Sequence, residues 1–445
     1  MSDLSARRRV RASNVGRGEF GRRAVLLGSV VGLLGPRTAH PQQRVLPPLP
    51  AEKEKLAAYT REMVTQNSLP FTIGTGELAG PAVDFLLDHT VRSQFVLIGE
   101  YHEERDVPVF AGELFTLLKR RRGFRYLAVE QDPLATEYIS ADRYRGNARA
   151  IAALARRYPV LIGFSSDQDL ELMALANRDG SARHPTVWGL EQVQGALNYL
   201  EELHGLAPKA KVRALVEARM ADALAAQPQR INATWYLATP GAMDRVRELS
   251  DAFKAKPGSR AEYLLSSMQK SAEIYSYYTR QERGEPSGLY NNVVREDLLK
   301  ANFMRPYRQA AADGSTPKVL FKMGQWHMYR GRSPGGAFTI GNFAHEFAAA
   351  NGMDAFGVAT IATGGNVAWA ELEAFLRPLL PRAEPDEPVL VDLHILRPIA
   401  SSFTGQLDKE SDRRALLNFI HGYDAMVLLP HGQKASWALT GFPTR

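Results

Sequence analysis

The stretch Phe95-Val-Leu-Ile-Gly-Glu-Tyr-His102 is an apolar run that breaks at a glycine and then presents a carboxylate and an imidazole. Such a run reads as a buried strand whose polar residues begin where the strand ends. Two other segments repeat the arrangement. Tyr126-Leu-Ala-Val-Glu130 closes on a carboxylate, and Lys318-Val-Leu-Phe-Lys-Met-Gly-Gln-Trp-His327 closes on a histidine. In an open parallel sheet, ligands sit outside the carboxyl ends of the strands. Glu100, His102, Glu130 and His327 are therefore expected to meet in one crevice suited to acid-base or metal chemistry.

Taken singly, each residue has a plainer explanation. A histidine near a strand end is commonly a satisfied polar residue, and a carboxylate closing a strand is often the N-cap of the next helix. The recurrence of the pattern on three strands of one chain is what points to a site.

Around these segments strand and helix alternate. Strands are expected at 94–98 and 126–129, with helices through Val107–Arg121 and Pro133–Tyr144, then helices at Ala148–Arg157 and Asp167–Arg178 and a strand at Thr186–Leu190. Residues 194–312 are rich in Ala and Leu and carry no strand signal, with Arg213–Ala226 and Met243–Ala255 the clearest periodic stretches. Strand signals resume at Lys318–Met323, Ala355–Ile361, Val389–Leu393 and Ala425–Leu429. The expected architecture is an α/β fold with a mainly parallel central sheet flanked by helices, and a helical insertion forming a cap. Its segments are 85–193 and 313–445 for the α/β domain, 194–312 for the cap and 41–84 for a linker with an entry helix. Tyr275, Tyr277, Tyr278 and Tyr290 cluster in the insertion. At helical spacing they are expected in its core, the alternative being the wall of a pocket for an apolar or ring-containing ligand.

Residues 1–40 read as an export signal. Several arginines precede Arg22-Arg23, a short apolar stretch follows as far as Gly35, and small residues stand near a cleavage point, as in twin-arginine signals. The expected location is periplasmic or secreted, with the twin-arginine machinery as a partner. These residues carry eight arginines against Asp3 and Glu19, so they hold six of the seven net positive charges of the 445-residue chain. The remainder is close to neutral, which removes the persistent basic face that nucleic-acid binding requires. No apolar run beyond the signal is long enough to span a bilayer. The chain has no cysteine, which excludes disulfides, thiolate nucleophiles and Cys-ligated metal centres.

Gly99-Glu100-Tyr101-His102, Leu127-Ala-Val-Glu130 and Gly324-Gln-Trp-His327-Met-Tyr-Arg330-Gly331 together resemble the erythromycin esterase-like family. That family lies in a wider group with haem-binding ChaN-like lipoproteins and Tiki/TraB-type proteases. Arg295-Glu-Asp-Leu-Leu-Lys-Ala-Asn302 is similar to the family's Arg-Asp-x-x-Met-Ala-x-Asn helix, Thr186-Val-Trp-Gly-Leu-Glu191 to its strand leading to an acidic residue, and Tyr423-Asp424-Ala425 to its Phe-Asp-Ala before the last strand. The resemblance covers roughly residues 85–430. The first motif departs from the esterase pattern, being Glu-x-His rather than Glu-x-x-His, and in this it is closer to the haem-binding branch. The shift by one residue reverses the side to which an extended backbone directs the histidine.

The resemblance implies a hydrolase of small-molecule esters or lactones that needs no cofactor. His102, oriented by Glu130 or Glu100, acts as general base on water, and His327 polarises the carbonyl with help from Arg330 or Arg295. Arg295, Asn302, Arg330 and Glu191 are its expected substrate-binding residues. No Gly-x-Ser-x-Gly elbow offers a serine nucleophile. Two readings compete. In one, Glu100, His102, Glu130 and His327 hold a divalent metal that activates water. In the other, the chain is a periplasmic haem- or ligand-binding protein with a His or Tyr axial ligand. The export reading predicts that Arg22→Lys together with Arg23→Lys retains the protein in the cytoplasm. Fractionation of expressing cells checks this, and normal export of the double variant would remove the twin-arginine assignment.

Overall fold

Eight strands form one sheet: β1 (Ser68–Pro70), β2 (Ser93–Glu100), β3 (Tyr126–Val129), β4 (Val187–Gly189), β5 (Val319–Gly324), β6 (Asp354–Ala362), β7 (Val389–Asp392) and β8 (Ala425–Leu429). Their spatial order is β1-β7-β8-β6-β2-β5-β3-β4. The structure, a computed structural model, describes residues 53–442 apart from 159–160, 227–235, 283, 285–287 and 382. The expected export signal and the Pro41–Pro50 linker lie outside the described residues.

β2 sits in the middle, and all eight of its residues are buried. It pairs in parallel with β5 on one side and β6 on the other. Parallel pairing continues from β5 to β3, from β3 to β4 and from β6 to β8, while β7 runs antiparallel to both β1 and β8. The sheet is thus mainly parallel and flanked by helices. Register sets Glu100 beside Gly324 and Val129 beside Lys322, so β2 and β5 finish level with one another and β3 stops two residues short, all at the same carboxyl edge.

Apolar spacing explains why the connections are helices. In Asp106–Arg122, Val107, Phe110, Ala111, Leu114 and Leu118 are buried, a stripe at three- and four-residue intervals. That helix ends in four basic residues and a left-handed Gly123 at φ 73°, which suits its carboxyl-terminal dipole and its cap. Between β4 and β5 the described residues contain helices Ala196–Leu206, Ala210–Ala225, Ala242–Phe253, Arg260–Glu282 and Gly288–Ala310, with no strand. They enclose a core of their own, including Tyr199, Leu203, Val216, Leu249, Leu264 and Met268. Tyr275 is part of that core, and its hydroxyl donates to the Val193 carbonyl at 3.1 Å. The Tyr278 and Tyr290 side chains lie outside the described residues.

The helix Gly288–Ala310 returns the chain to the sheet. Its Phe303 ring packs edge-on against Phe95 of β2 at 5.7 Å and tilted against Phe321 of β5 at 5.1 Å. This anchor lays the turns carrying Arg295, Glu296 and Asn302 across the strand ends. β1 was not expected. It is three residues long and contains a proline, which confines it to a sheet edge and leaves no alternation to read.

The loop after β5 is pinned by the helix Ile340–Ala350. A side chain at Gly341 would put its Cβ 2.4 Å from the Met328 carbonyl carbon, a backbone atom that cannot swing aside. Gly341→Ala is therefore expected to destabilise the protein by roughly 1–3 kcal/mol, a cost typical of overpacking. A chemical-denaturation curve measures it, and an unchanged midpoint would show that the loop is free to shift.

Candidate active site

Each of the three strand ends contributes a charged group to one cluster. Glu130 follows β3 and is buried. Its Oε2 accepts the Gly324 backbone N–H at 2.7 Å, and its Oε1 accepts Arg295 Nη2 at 2.8 Å. Gly324 has no side chain where one would collide: a Cβ there would lie 2.9 Å from His102 Nε2 and 3.2 Å from Glu130 Oε2. The glycine that ends β5 thus makes room for the imidazole and the carboxylate.

The two histidines are held alike. His102 Nδ1 faces Glu100 Oε1 at 3.1 Å, and its Nε2 faces Glu130 Oε2 at 3.7 Å. His327 Nδ1 contacts Glu296 Oε1, and its Nε2 faces Glu130 Oε1 at 3.6 Å. A carboxylate that accepts from Nδ1 fixes the proton there and leaves Nε2 to exchange a proton with whatever enters. His102 is oriented further by stacking on Phe164, with ring centroids 4.3 Å apart. It keeps 36% of its side chain exposed, against 12% for His327, so His102 is the more accessible of the two.

Other charges hold the carboxylates in place. Lys322, buried in β5, bonds to Glu100 at 2.8 Å and to Asp169 at 2.8 Å. Arg295 reaches both Glu130 and Glu191, the latter through two nitrogens. Asn302 Nδ2 donates to the Leu190 carbonyl at 2.8 Å and so secures the turn that carries Glu191. Glu296 Oε2 accepts the Ile340 N–H at 2.7 Å. Five carboxylates, Glu100, Glu130, Glu191, Glu296 and Asp169, thus surround only two fixed cations, Lys322 and Arg295.

That imbalance sets the protonation states. Burial alone would lower the pKa of His102, but Glu130 and Glu100 outweigh it and raise the value above that of an ordinary histidine. For His327, burial is likewise overcome, with Glu296 the leading cause and Glu130 assisting. Burial would raise the pKa of Glu130, yet His327, His102 and Arg295 hold it well below the usual carboxylate range. Glu100 is lowered against its own burial by Lys322 and His102.

The structure brings together Glu100, His102, Glu130, His327, Arg295 and Glu191, with Asn302 behind them. Glu191 serves here as the buried partner of Arg295. Arg330 does not join the cluster, contrary to expectation. Its guanidinium turns to Asp424 and His345, because the turn after His327 crosses toward the amino end of β8. Four residues were not anticipated: Lys322, Asp169, Glu296 and Phe164. Lys322 was the readable one, a lone charge inside an otherwise apolar strand.

Lys322 stands 2.8 Å from Glu100 and Arg295 2.8 Å from Glu130, so each of these two carboxylates has a fixed cationic partner. Among the described residues no three His, Asp or Glu side chains are arranged to hold a metal ion.

No family model matches the sequence, and no curated protein matches it significantly. Solved structures do. An erythromycin esterase, EreC, in its open conformation aligns over 83% of this chain and 99% of its own, with TM-score 0.57 and 13% identity. A Bacillus cereus protein aligns over 87% and 99%, with TM-score 0.54 and 10% identity. A succinoglycan biosynthesis protein aligns over 85% and 98%, with TM-score 0.52 and 15% identity. The fold of this chain is the erythromycin esterase-like fold.

Lys322 offers a direct test of how the cluster is held. Lys322→Met leaves Glu100 and Asp169 without their buried cation, and breaking such a pair typically costs about 3–5 kcal/mol. The loss should be largest near neutral pH and shrink in acid, where the freed carboxylates take up protons. Urea unfolding across that range measures it, and a loss that does not vary with pH would contradict the pairing.

Proposed function

We propose, taking the erythromycin esterase-like fold as premise, that this chain hydrolyses an ester or lactone by direct attack of water. The observation that carries the reading is Glu130 between two imidazoles, each anchored at Nδ1 and turning Nε2 toward that shared carboxylate. His102 Nε2 removes a proton from water, and the hydroxide so formed attacks the carbonyl carbon. Charge develops on the carbonyl oxygen, and the protonated Nε2 of His327 stabilises it. On collapse, the acyl–oxygen bond breaks and the proton held by His102 passes to the leaving alkoxide. Glu130, ionised throughout, supports the imidazolium that forms. Arg295 keeps Glu130 in place from the opposite side to Gly324.

The divergent exposure of the two histidines supports this division of roles. His102 is accessible enough to reach a bulk-derived water, whereas buried His327, raised in pKa, favours the protonated form that an oxyanion needs. Trp326, beside His327, is 57% exposed, and Phe338, whose carbonyl is held by Lys300 on the Gly288–Ala310 helix, is 61% exposed. Export to the periplasm, read from Arg22-Arg23 and the apolar stretch after them, would set the enzyme against esters arriving from outside the cell.

The test is hydrolysis of aryl esters and lactones by the purified protein, with and without chelator. His102→Ala and His327→Ala should each lower kcat/KM by roughly 10²–10⁴, and chelator should leave the rate unchanged. The active form needs His102 unprotonated, and its pKa is raised. kcat/KM should therefore climb with pH through a midpoint above that of an ordinary histidine, and fall again where His327 loses the proton that stabilises the oxyanion. Full turnover by His102→Ala would sink the reading, and loss of activity on chelation would transfer it to a metal.

A further inference from the structure

Two buried polar residues, Glu130 and Gln131, follow β3 in succession. Glu130 enters the charged cluster, whereas the Gln131 side chain turns to the loop that leads into the helix Asp167–Asn177. Gln131 Oε1 accepts the Gly163 N–H at 2.9 Å and the Phe164 N–H at 3.4 Å, and its Nε2 donates to the Phe164 carbonyl at 2.7 Å. Two N–H groups demand the amide oxygen and a carbonyl demands the amide nitrogen, so these partners fix which way the amide faces. Residues 161–166 form no helix or strand, and this one side chain satisfies both backbone groups of Phe164 in place of a regular element. Gln131 is itself held at the backbone, where its carbonyl accepts the Glu191 N–H at 2.9 Å.

What the clamp delivers to the site is the ring of Phe164. It stacks on His102, with centroids 4.3 Å apart and planes 24° apart. Glu100 and Glu130 address the two ring nitrogens of His102. Such contacts act near the plane of an imidazole, and the torsion that sets its tilt is broad in its own right. A ring laid on the face limits that tilt. Phe164 and Gln131 also line the same narrow space as Glu100, Glu130, Asp169 and Lys322, so the clamp forms part of the wall of the charged cluster.

We propose that Gln131 is a positioning residue for His102: through Phe164 it sets the face contact that holds the imidazole at the tilt from which Nε2 takes a proton from water. The proposal rests on the hydrolytic reading of the site. Gln131 acts through the loop and not on a reacting atom. Successive residues of extended backbone face opposite sides. The end of β3 thereby directs Glu130 to both imidazoles and Gln131 to the loop that covers one of them.

Nuclear magnetic resonance of the His102 ring protons gives a readout that needs no turnover. Stacking places those protons in the ring current of Phe164, and Phe164→Leu marks where their signals stand without it. We expect Gln131→Met, which keeps the length of the side chain and loses all three hydrogen bonds, to move the His102 signals toward their Phe164→Leu positions. Gln131→Asn, one methylene shorter and still polar, makes the same test should the first variant fold poorly. In ester turnover Gln131→Met should lower kcat by roughly 10–100-fold with little change in KM, the pattern of a base held out of place. The variant combining Gln131→Met with Phe164→Leu should lose no more than the worse of the two singles, because both changes act on one contact. His102 signals that keep their native positions in the Gln131 variants overturn the proposal, as do losses that add in the combined variant. A native protein without ester turnover would remove the hydrolytic reading instead, and the proton signals would still decide whether Gln131 holds His102.

Discussion

The buried carboxylate of Glu130 is the constraint on which the rest of the structure depends. An ionised carboxylate removed from water is tolerated only when donors and positive charge replace its hydration. Here those replacements come from four places: the Gly324 N–H at the end of β5, Arg295 on the Gly288–Ala310 helix, His102 after β2 and His327 after β5. Each must be brought to the same point. The shared carboxyl edge of β2, β3 and β5, the glycine that ends β5, and the return of a long helix over the strand ends all serve that requirement. Packing of Phe303 on Phe95 and Phe321 ties the helix to the same strands.

A second layer of charge follows from the first. Satisfying Glu130 with two imidazoles requires that both rings keep one orientation, which Glu100 and Glu296 provide at Nδ1. Those acids need partners in turn, and Lys322 and the Ile340 N–H supply them. Carboxylates still outnumber fixed cations, so the histidines carry the balance and their pKa values rise. The electrostatics that stabilise the cluster are also what give its imidazoles the capacity to move protons. Structure and proposed chemistry are therefore one arrangement, and a change such as Lys322→Met acts on both.

The sequence made the centre of the fold legible, because strands buried on both faces are continuous apolar runs. The expected runs at 94–98, 126–129, 318–323 and 425–429 agree with β2, β3, β5 and β8 to within two residues. Glu100, His102, Glu130 and His327 were readable because each follows such a run. β1 was not, since three residues with a proline show no period. Glu296 was overshadowed by its neighbour Arg295, as nothing local distinguishes a carboxylate that will orient a histidine from one that will face solvent. Lys322 was visible as a charge within a strand, but its partner Asp169 is 153 residues distant and only the sheet brings them together. Arg330 was assigned to the wrong edge for a related reason. Its position three residues after His327 says nothing of the turn that carries its side chain toward Asp424.

The account stands on Glu130 acting electrically on both histidines at once. The most direct measurement is a nuclear magnetic resonance titration of the His102 and His327 imidazoles in the native protein and in Glu130→Gln. The substitution removes the charge and nearly preserves the shape. Both pKa values should be above the ordinary histidine value in the native protein, and both should fall in the variant. If either histidine titrates unchanged when Glu130 is neutralised, the two imidazoles do not share that carboxylate and the single site described here does not exist.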